Sequence, residues 1–158
     1  MKARYNYLEE QTRQLLKSYL YNVQAFEKGN SIFMMKSLIE MNDKNKIFFD
    51  AESPYFTYNN NPKRTEFVVH APMYNIYWRI ECKSQVQNSN MVSRLYDELY
   101  YVTELPEDKI FFVLEGALLY PKVLMELTNR IEKHNLSDRV LFGDINIFRE
   151  ELIRKMSA

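Results

Sequence analysis

Glu66-Phe67-Val68-Val69-His70-Ala71-Pro72-Met73-Tyr74-Asn75-Ile76-Tyr77-Trp78-Arg79-Ile80-Glu81-Cys82-Lys83 decides the fold of this chain. Two runs rich in β-branched and aromatic residues flank the turn formers Pro72 to Asn75, which is the pattern of a β-hairpin. Centring the turn between Met73 and Tyr74 sets Ala71 opposite Ile76, Val69 opposite Trp78 and Glu66 opposite Glu81. Facing residues in an antiparallel pair have Cβ atoms roughly 4.5–5.5 Å apart. Alternation then assigns Phe67, Val69, Ala71, Ile76, Trp78, Ile80 and Cys82 to one apolar face. It assigns Glu66, Val68, His70, Tyr77, Arg79, Glu81 and Lys83 to the other. A slip of one residue would bury Glu66, so the apolar face fixes the register.

Two facing carboxylates repel unless a positive charge lies between them. A hard divalent cation, Mg²⁺ or Mn²⁺, prefers such oxygen ligands. Lys83 would then lie near a metal-bound water, to orient it, to deprotonate it, or to steady charge developing on a phosphate. Two acids, an amine and a hard cation are the means of metal-assisted phosphodiester hydrolysis. A solvent-facing strand whose Glu81 and Lys83 serve only solubility is the plain alternative.

Outside the hairpin the pattern alternates between helix and strand. Helices are expected over Lys2 to Lys28, Met91 to Thr103, Pro121 to His134, and from a cap at Asp144 or Asn146 to Lys155; Ser31 to Asn42, with Ser31 as cap, reads as a helix or, being short and dense in apolar residues, a strand. Lys46 to Tyr58 reads as strand, bend at Ser53-Pro54, strand, and Asn59 to Pro62 as a loop. Ile110 to Leu114 is an unbroken apolar run of the kind buried on both faces, ended by Gly116. Val140 to Phe142 is a last short strand. Helix–strand alternation after the hairpin implies parallel pairing at that edge. The expected class is α/β: a central mixed sheet flanked by helices, in one domain over 1–158 with 1–28 as an additional N-terminal helix.

Composition sets outer bounds. The chain has 158 residues, of which 46% are hydrophobic, and a formal net charge of zero. A global basic field for nucleic acid is absent, so DNA binding would need a local patch. The 3 Gly argue against a glycine-rich phosphate loop, and no Walker or dinucleotide fingerprint is present. Cys82 is the single cysteine, which excludes a disulfide within one chain, and its place on the apolar face implies an inert thiol. No apolar run reaches the ~20 residues of a membrane span, so a cytoplasmic protein with no membrane partner is expected.

Arg64-Thr65-Glu66-Phe67-Val68-Val69 and Ile80-Glu81-Cys82-Lys83-Ser84-Gln85, with the order of the elements around them, resemble the PD-(D/E)XK nuclease superfamily, the restriction-endonuclease-like fold. The resemblance extends from about Gly29 to the C-terminus. It implies a DNA endonuclease in which Glu66 and Glu81 hold Mg²⁺ or Mn²⁺ and Lys83 is the catalytic lysine. Gln85 matches a polar position past the motif that would touch the metal water or DNA. A further glutamate from the first helix often joins the metal in this fold; Glu9, Glu10 and Glu40 compete, and Glu10 is taken for the polar side of its helix. Lys63, Arg64, Arg79 and Arg94 are candidates to hold phosphates around the scissile bond. The acidic residues Asp97, Glu98 and Glu104 to Asp108 would repel DNA. One site cuts one strand, so duplex cleavage would take a homodimer or repeated nicking. The alternative function is a catalytically inactive scaffold of the same fold, binding DNA or protein.

Overall fold

The computed structural model describes the backbone of residues 2–56, 62–85 and 91–157. Its elements run α1 (Lys2–Tyr19), β1 (Gln24–Phe26), α2 (Ile32–Met41), β2 (Lys46–Phe56), β3 (Pro62–Ala71), β4 (Ile76–Gln85), α3 (Met91–Glu98), β5 (Lys109–Gly116), α4 (Pro121–Lys133), β6 (Val140–Gly143) and α5 (Ile145–Ser157). The strands form one sheet in sequential order β1 to β6. β2, β3 and β4 are an antiparallel meander, and β1–β2, β4–β5 and β5–β6 pair in parallel. The expected α/β class, with a mixed sheet between helices, is the observed one.

The hairpin register is as the apolar pattern requires: Ala71 pairs with Ile76, Val69 with Trp78 and Phe67 with Ile80. A 3₁₀ turn over Pro72–Tyr74 closes it, and Asn75 adopts the left-handed conformation at φ 55, which asparagine tolerates well. Phe67, Val69, Ala71, Ile76, Trp78 and Ile80 pack with Leu8 and Leu16 of α1 and Phe148 and Leu152 of α5. The reverse face is covered as well. Met35 of α2 packs with Phe48 and Val68, and Leu95 of α3 and Leu127 of α4 pack with Ile110, Phe112 and Leu114. β5 is therefore buried on both faces, as its unbroken apolar run implies.

Four expectations need correction. The first helix stops at Tyr19 rather than Lys28. Asn22 turns the chain at φ 52 and Gln24–Phe26 becomes an edge strand on β2. Leu20, Val23 and Phe26 continue the helical spacing, which hid that strand. The segment from Lys46 is one strand with an irregularity between Glu52 and Phe56 instead of two strands. Pro54 is accommodated there because an irregular ladder requires no donor from it. Pro62 opens β3 rather than closing a loop; residues 57–61 lie outside those described. The third helix passes into a 3₁₀ stretch over Leu99–Glu104.

Start and stop signals act as read. Ser31 Oγ accepts the Met34 amide at 3.1 Å, and Asp144 Oδ1 accepts the Ile147 amide at 2.9 Å. Gly143 permits close contact between β6 and α5: a Cβ there would meet Ile147 Cβ at 2.6 Å. Among the described residues, no helix is long and apolar enough to cross a membrane.

A buried ion pair ties the meander to β5. Arg79 is 0% exposed and bonds Glu107, which precedes β5. Its Nη1 also donates to Thr65 Oγ1 of β3 at 3.0 Å and to the Glu52 carbonyl of β2 at 3.2 Å. Removing one partner of a buried pair leaves an uncompensated charge, whereas removing both often costs little. Glu107→Ala should therefore lower the unfolding free energy by about 3–5 kcal/mol in urea titrations. Arg79→Met combined with Glu107→Leu should recover most of that loss.

Candidate functional site

β3 and β4 part company at the level of Glu66. Their paired residues run from Ala71–Ile76 to Phe67–Ile80. Beyond that point β3 continues with β2 as far as Pro62, while β4 continues with β5 through Gln85–Gly116. Glu66, Glu81 and Lys83 stand at this fork.

Side-chain alternation breaks at the same level. Phe67 belongs to the core under α1, yet Thr65 bonds Arg79 on the other side of the sheet. Opposite them on β2, Phe49 and Ala51 also belong to different cores, and Asp50 between them has φ 49. Glu66 consequently lines a cleft of about 260 Å³ on the α1 side, with Glu9, Arg13, Asp50 and Arg64. Its Oε2 accepts the Cys82 amide at 3.2 Å, in the gap that the ladder has left. The expectation that Glu66, Glu81 and Lys83 share one face is thus corrected. The register holds, but the break in alternation turns Glu66 toward α1.

Glu81 and Lys83 belong to a buried group on the α3 side. Lys63 Nζ lies 2.8 Å from Glu81 Oε1 and 2.7 Å from Glu98 Oε1. Lys83 Nζ lies 2.8 Å from Glu98 Oε1 and 3.7 Å from Glu81 Oε1. With both carboxyls ionised, two cations and two anions alternate; Glu98, raised to about 7, takes up a proton before Glu81 and then hydrogen-bonds it. Oε2 of Glu81 and Oε2 of Glu98 are buried and accept no hydrogen bond from a nitrogen or hydroxyl.

The charges distort one another's titration. Burial, then the negative charge of Glu81, pushes the Glu66 carboxyl up to about 8. Burial acts on Glu81 in the same direction, but Lys83 and Lys63 outweigh it and hold that carboxyl at about 2. Burial, then Glu81, raises Glu98 to about 7. Burial opposes charge on Lys83, yet Glu81 and Glu98 prevail and raise its pKa. Glu9 is raised by burial despite Arg13. Burial, then Glu66, lifts Cys82 well above the usual thiol range, in keeping with an inert cysteine.

The remaining sequence candidates separate clearly. Glu10 points away from the cleft: it is exposed, accepts from Gln14 at 2.9 Å and pairs with Arg13 at 3.7 Å. Glu9, one residue earlier, is the helix glutamate beside Glu66. Glu40 is exposed on α2. Arg79 is sealed in its pair with Glu107 and presents nothing to a phosphate. Lys63 is turned inward to Glu81 and Glu98. Arg64 lines the cleft beside Asp50, 3.2 Å away, and Arg94 is exposed on α3. The Gln85 side chain lies outside the described residues. Of the acidic run expected to repel DNA, Glu98 and Glu107 are buried and paired.

Sequence reading missed Glu98 and Arg13. Glu98 is three residues after Leu95 and four before Val102, on the apolar stripe of its helix. A carboxylate on such a stripe needs a buried cation, and that was the available signal. Arg13 stacks over Phe49 at 4.1 Å on the cleft wall, a contact that helical spacing does not announce.

Among the described residues, no group of three or more His, Cys, Asp or Glu side chains is arranged to hold a metal ion. Any cation would have to rely on fewer carboxylates, with water and substrate oxygens completing its shell, as Mg²⁺ commonly does. Comparison of the chain with protein-family models, characterised proteins and solved structures finds no match.

Glu66 binds its proton more tightly in the folded chain than in the unfolded one, where a glutamate titrates near 4.3. Its contribution therefore lowers stability as pH rises from about 4.3 toward 8. Glu66→Gln should remove that loss. Thermal melts across pH 5–9 should show the variant gaining on the wild type as pH rises from 5 to about 8 and keeping that gain above it, and a constant difference would contradict the assignment.

Proposed function

We propose that this chain is a divalent-metal-dependent DNA endonuclease. The observation that carries the reading is the fork between β3 and β4, where Glu66 on one strand is under the influence of the Glu81 charge on the next and Lys83 stands beside Glu81. The order helix, three-stranded meander, helix, strand agrees with the restriction-endonuclease-like arrangement that the motif implied.

Two features favour a hard cation at the fork. Glu66 is pushed up to about 8 largely because burial and Glu81 leave its negative charge uncompensated, and a cation would relieve that directly. Glu81 keeps one buried oxygen with no nitrogen or hydroxyl donor, although a protonated Glu98 hydrogen-bonds the same carboxylate. Glu66 and Glu81 leave the strands on different faces, so holding Mg²⁺ or Mn²⁺ between them would need one carboxylate to rotate into the gap of the fork; Glu9, in place of Glu10, would reach such an ion through water. A bound ion would polarise the phosphate and acidify a water.

The chain's own residues supply the rest. Lys83 is held as an ammonium by Glu81 and Glu98, so it acts as a donor that orients the attacking water or steadies phosphate charge, and does not act as a base near neutrality. Arg64 and Arg13 flank the cleft at Glu66 and would meet phosphates, once exchanged from Asp50 and Glu27. Arg94 adds an exposed cation on α3. A site of this kind cuts one strand at a time, so two copies, or two nicks, would sever a duplex.

A catalytically silent scaffold of the same fold is the second reading. It draws on the Lys63–Glu81–Lys83–Glu98 group, which satisfies its own charge without a metal.

Incubation with single-stranded, duplex and branched DNA in Mg²⁺ or Mn²⁺ separates the two. An endonuclease should cut at least one of these, and Lys83→Ala or Glu81→Ala should slow it by about 100-fold or more. Equal rates for wild type and Lys83→Ala would remove Lys83 from the chemistry. Titration calorimetry with Mn²⁺ should show Glu9→Ala weakening binding about tenfold or more while Glu10→Ala does not. The absence of both cleavage and Mn²⁺ binding in the wild type would favour the silent scaffold.

A further inference from the structure

The buried group around Lys83 contains more than the proposed chemistry uses. Glu98 Oε1 receives both ammonium groups, Lys83 at 2.8 Å and Lys63 at 2.7 Å. Those two cations also reach Glu81 Oε1, at 3.7 Å and 2.8 Å. The Lys83 ammonium is thus nearer to Glu98 than to the acid of its own motif. Glu81 is 2% exposed, Lys83 8% and Glu98 9%.

Fold stability does not call for such a group. Well-packed apolar side chains of the same volume usually stabilise a protein as well as buried ion pairs or better. Leu95, Leu99 and Val102, the neighbours of Glu98 on its stripe, show that this helix face has an apolar core to join. Long lysine side chains have many rotamers, and ordering one costs side-chain entropy. A fixed carboxylate acceptor removes that freedom, which is how ligands and catalytic groups are held in place by the residues behind them.

We infer that Glu98 is the positioning residue of the site: it fixes the Lys83 ammonium beside Glu81, with Lys63 as the second cation bridging the same two carboxylates. Its assignment to the reaction rests on the endonuclease reading, whereas the anchoring of Lys83 does not. α3 thereby becomes part of the site although it contributes no group to the metal. Lys63 is assigned to this anchoring rather than to phosphate binding.

The test uses the full chain with ¹⁵N-labelled lysine side chains. Ammonium groups held in buried hydrogen bonds exchange protons slowly enough to be followed by NMR. Lys83, Lys63 and Lys46 should each give such a signal. Lys46 donates to Asn42 and Lys44 far from the site and serves as the internal control. Glu98→Gln should speed exchange at Lys83 about tenfold or more and leave Lys46 unchanged. Because Glu98→Gln alone leaves a buried excess of positive charge, the charge-balanced variant Glu98→Gln with Lys63→Met guards against loss of the fold. The same loss of protection at Lys83 is expected in it. In the DNA cleavage assay kcat should fall about 10- to 100-fold with KM unchanged.

Wild-type protection of Lys83 in the charge-balanced variant would overturn the anchoring. Loss of protection with kcat unchanged would overturn the positioning role. A wild type that cleaves no DNA would sink the endonuclease reading alone, because the ammonium signals still decide whether Glu98 holds Lys83.

Discussion

Burial of one apolar face of the β3–β4 hairpin is the constraint on which the rest of the structure depends. Phe67, Val69, Ala71, Ile76, Trp78 and Ile80 pack against α1 and α5. A shift of one residue would send that whole set to the opposite face and bring Arg79 and Glu81 under the helices. Burial of a large apolar side chain stabilises by about 1.5–3 kcal/mol, and no surface interaction approaches the sum over the five large ones in that set. The register is therefore decided by hydrocarbon, and the charged residues take the places that it leaves. Arg79 shows how tightly those places are then held, since it joins β2, β3 and the approach to β5.

The fork follows from what each strand can pair with next. β4 has β5 beside it and β3 has β2, so the two separate once the hairpin ladder ends at Phe67–Ile80. The gap admits the Glu66 carboxylate, which takes the Cys82 amide that a neighbouring strand would otherwise have bonded. Two carboxylates then face contrary conditions a short way apart. Glu81 has two lysines and remains ionised, while Glu66 lacks such cover and is raised to about 8. Divergent titration of neighbouring acids marks many sites of chemistry, although structural charge networks produce it too.

Much of this was legible in the sequence, and the reasons are physical. Period-two alternation fixed the hairpin, the unbroken apolar run identified the doubly buried β5, and Ser31, Asp144, Gly116 and Pro121 marked element ends. What could not be read was where alternation fails. The break at Asp50 and Glu66 turns Glu66 toward α1, and neither residue is a glycine or proline that would announce it. The end of the first helix is hidden for a related reason, since Leu20, Val23 and Phe26 continue its spacing although the chain turns at Asn22 and Phe26 lies in the edge strand. Glu9 and Glu10 differ by one helical step, roughly 100° around the axis, and the sequence pattern does not tell which of them lines the cleft beside Glu66. Glu98 reads as part of an acidic run that would repel DNA, although its spacing from Leu95 and Val102 sets it on the buried stripe.

A crystal of the protein grown or soaked with Mn²⁺ and measured for anomalous scattering tests the central claim most directly. The account predicts an anomalous peak bound by the Glu66 and Glu81 carboxylates at the fork, with Lys83 still held by Glu98. An intact fork with no anomalous peak at saturating Mn²⁺, and with Lys63 and Lys83 still closed over Glu81, would contradict it.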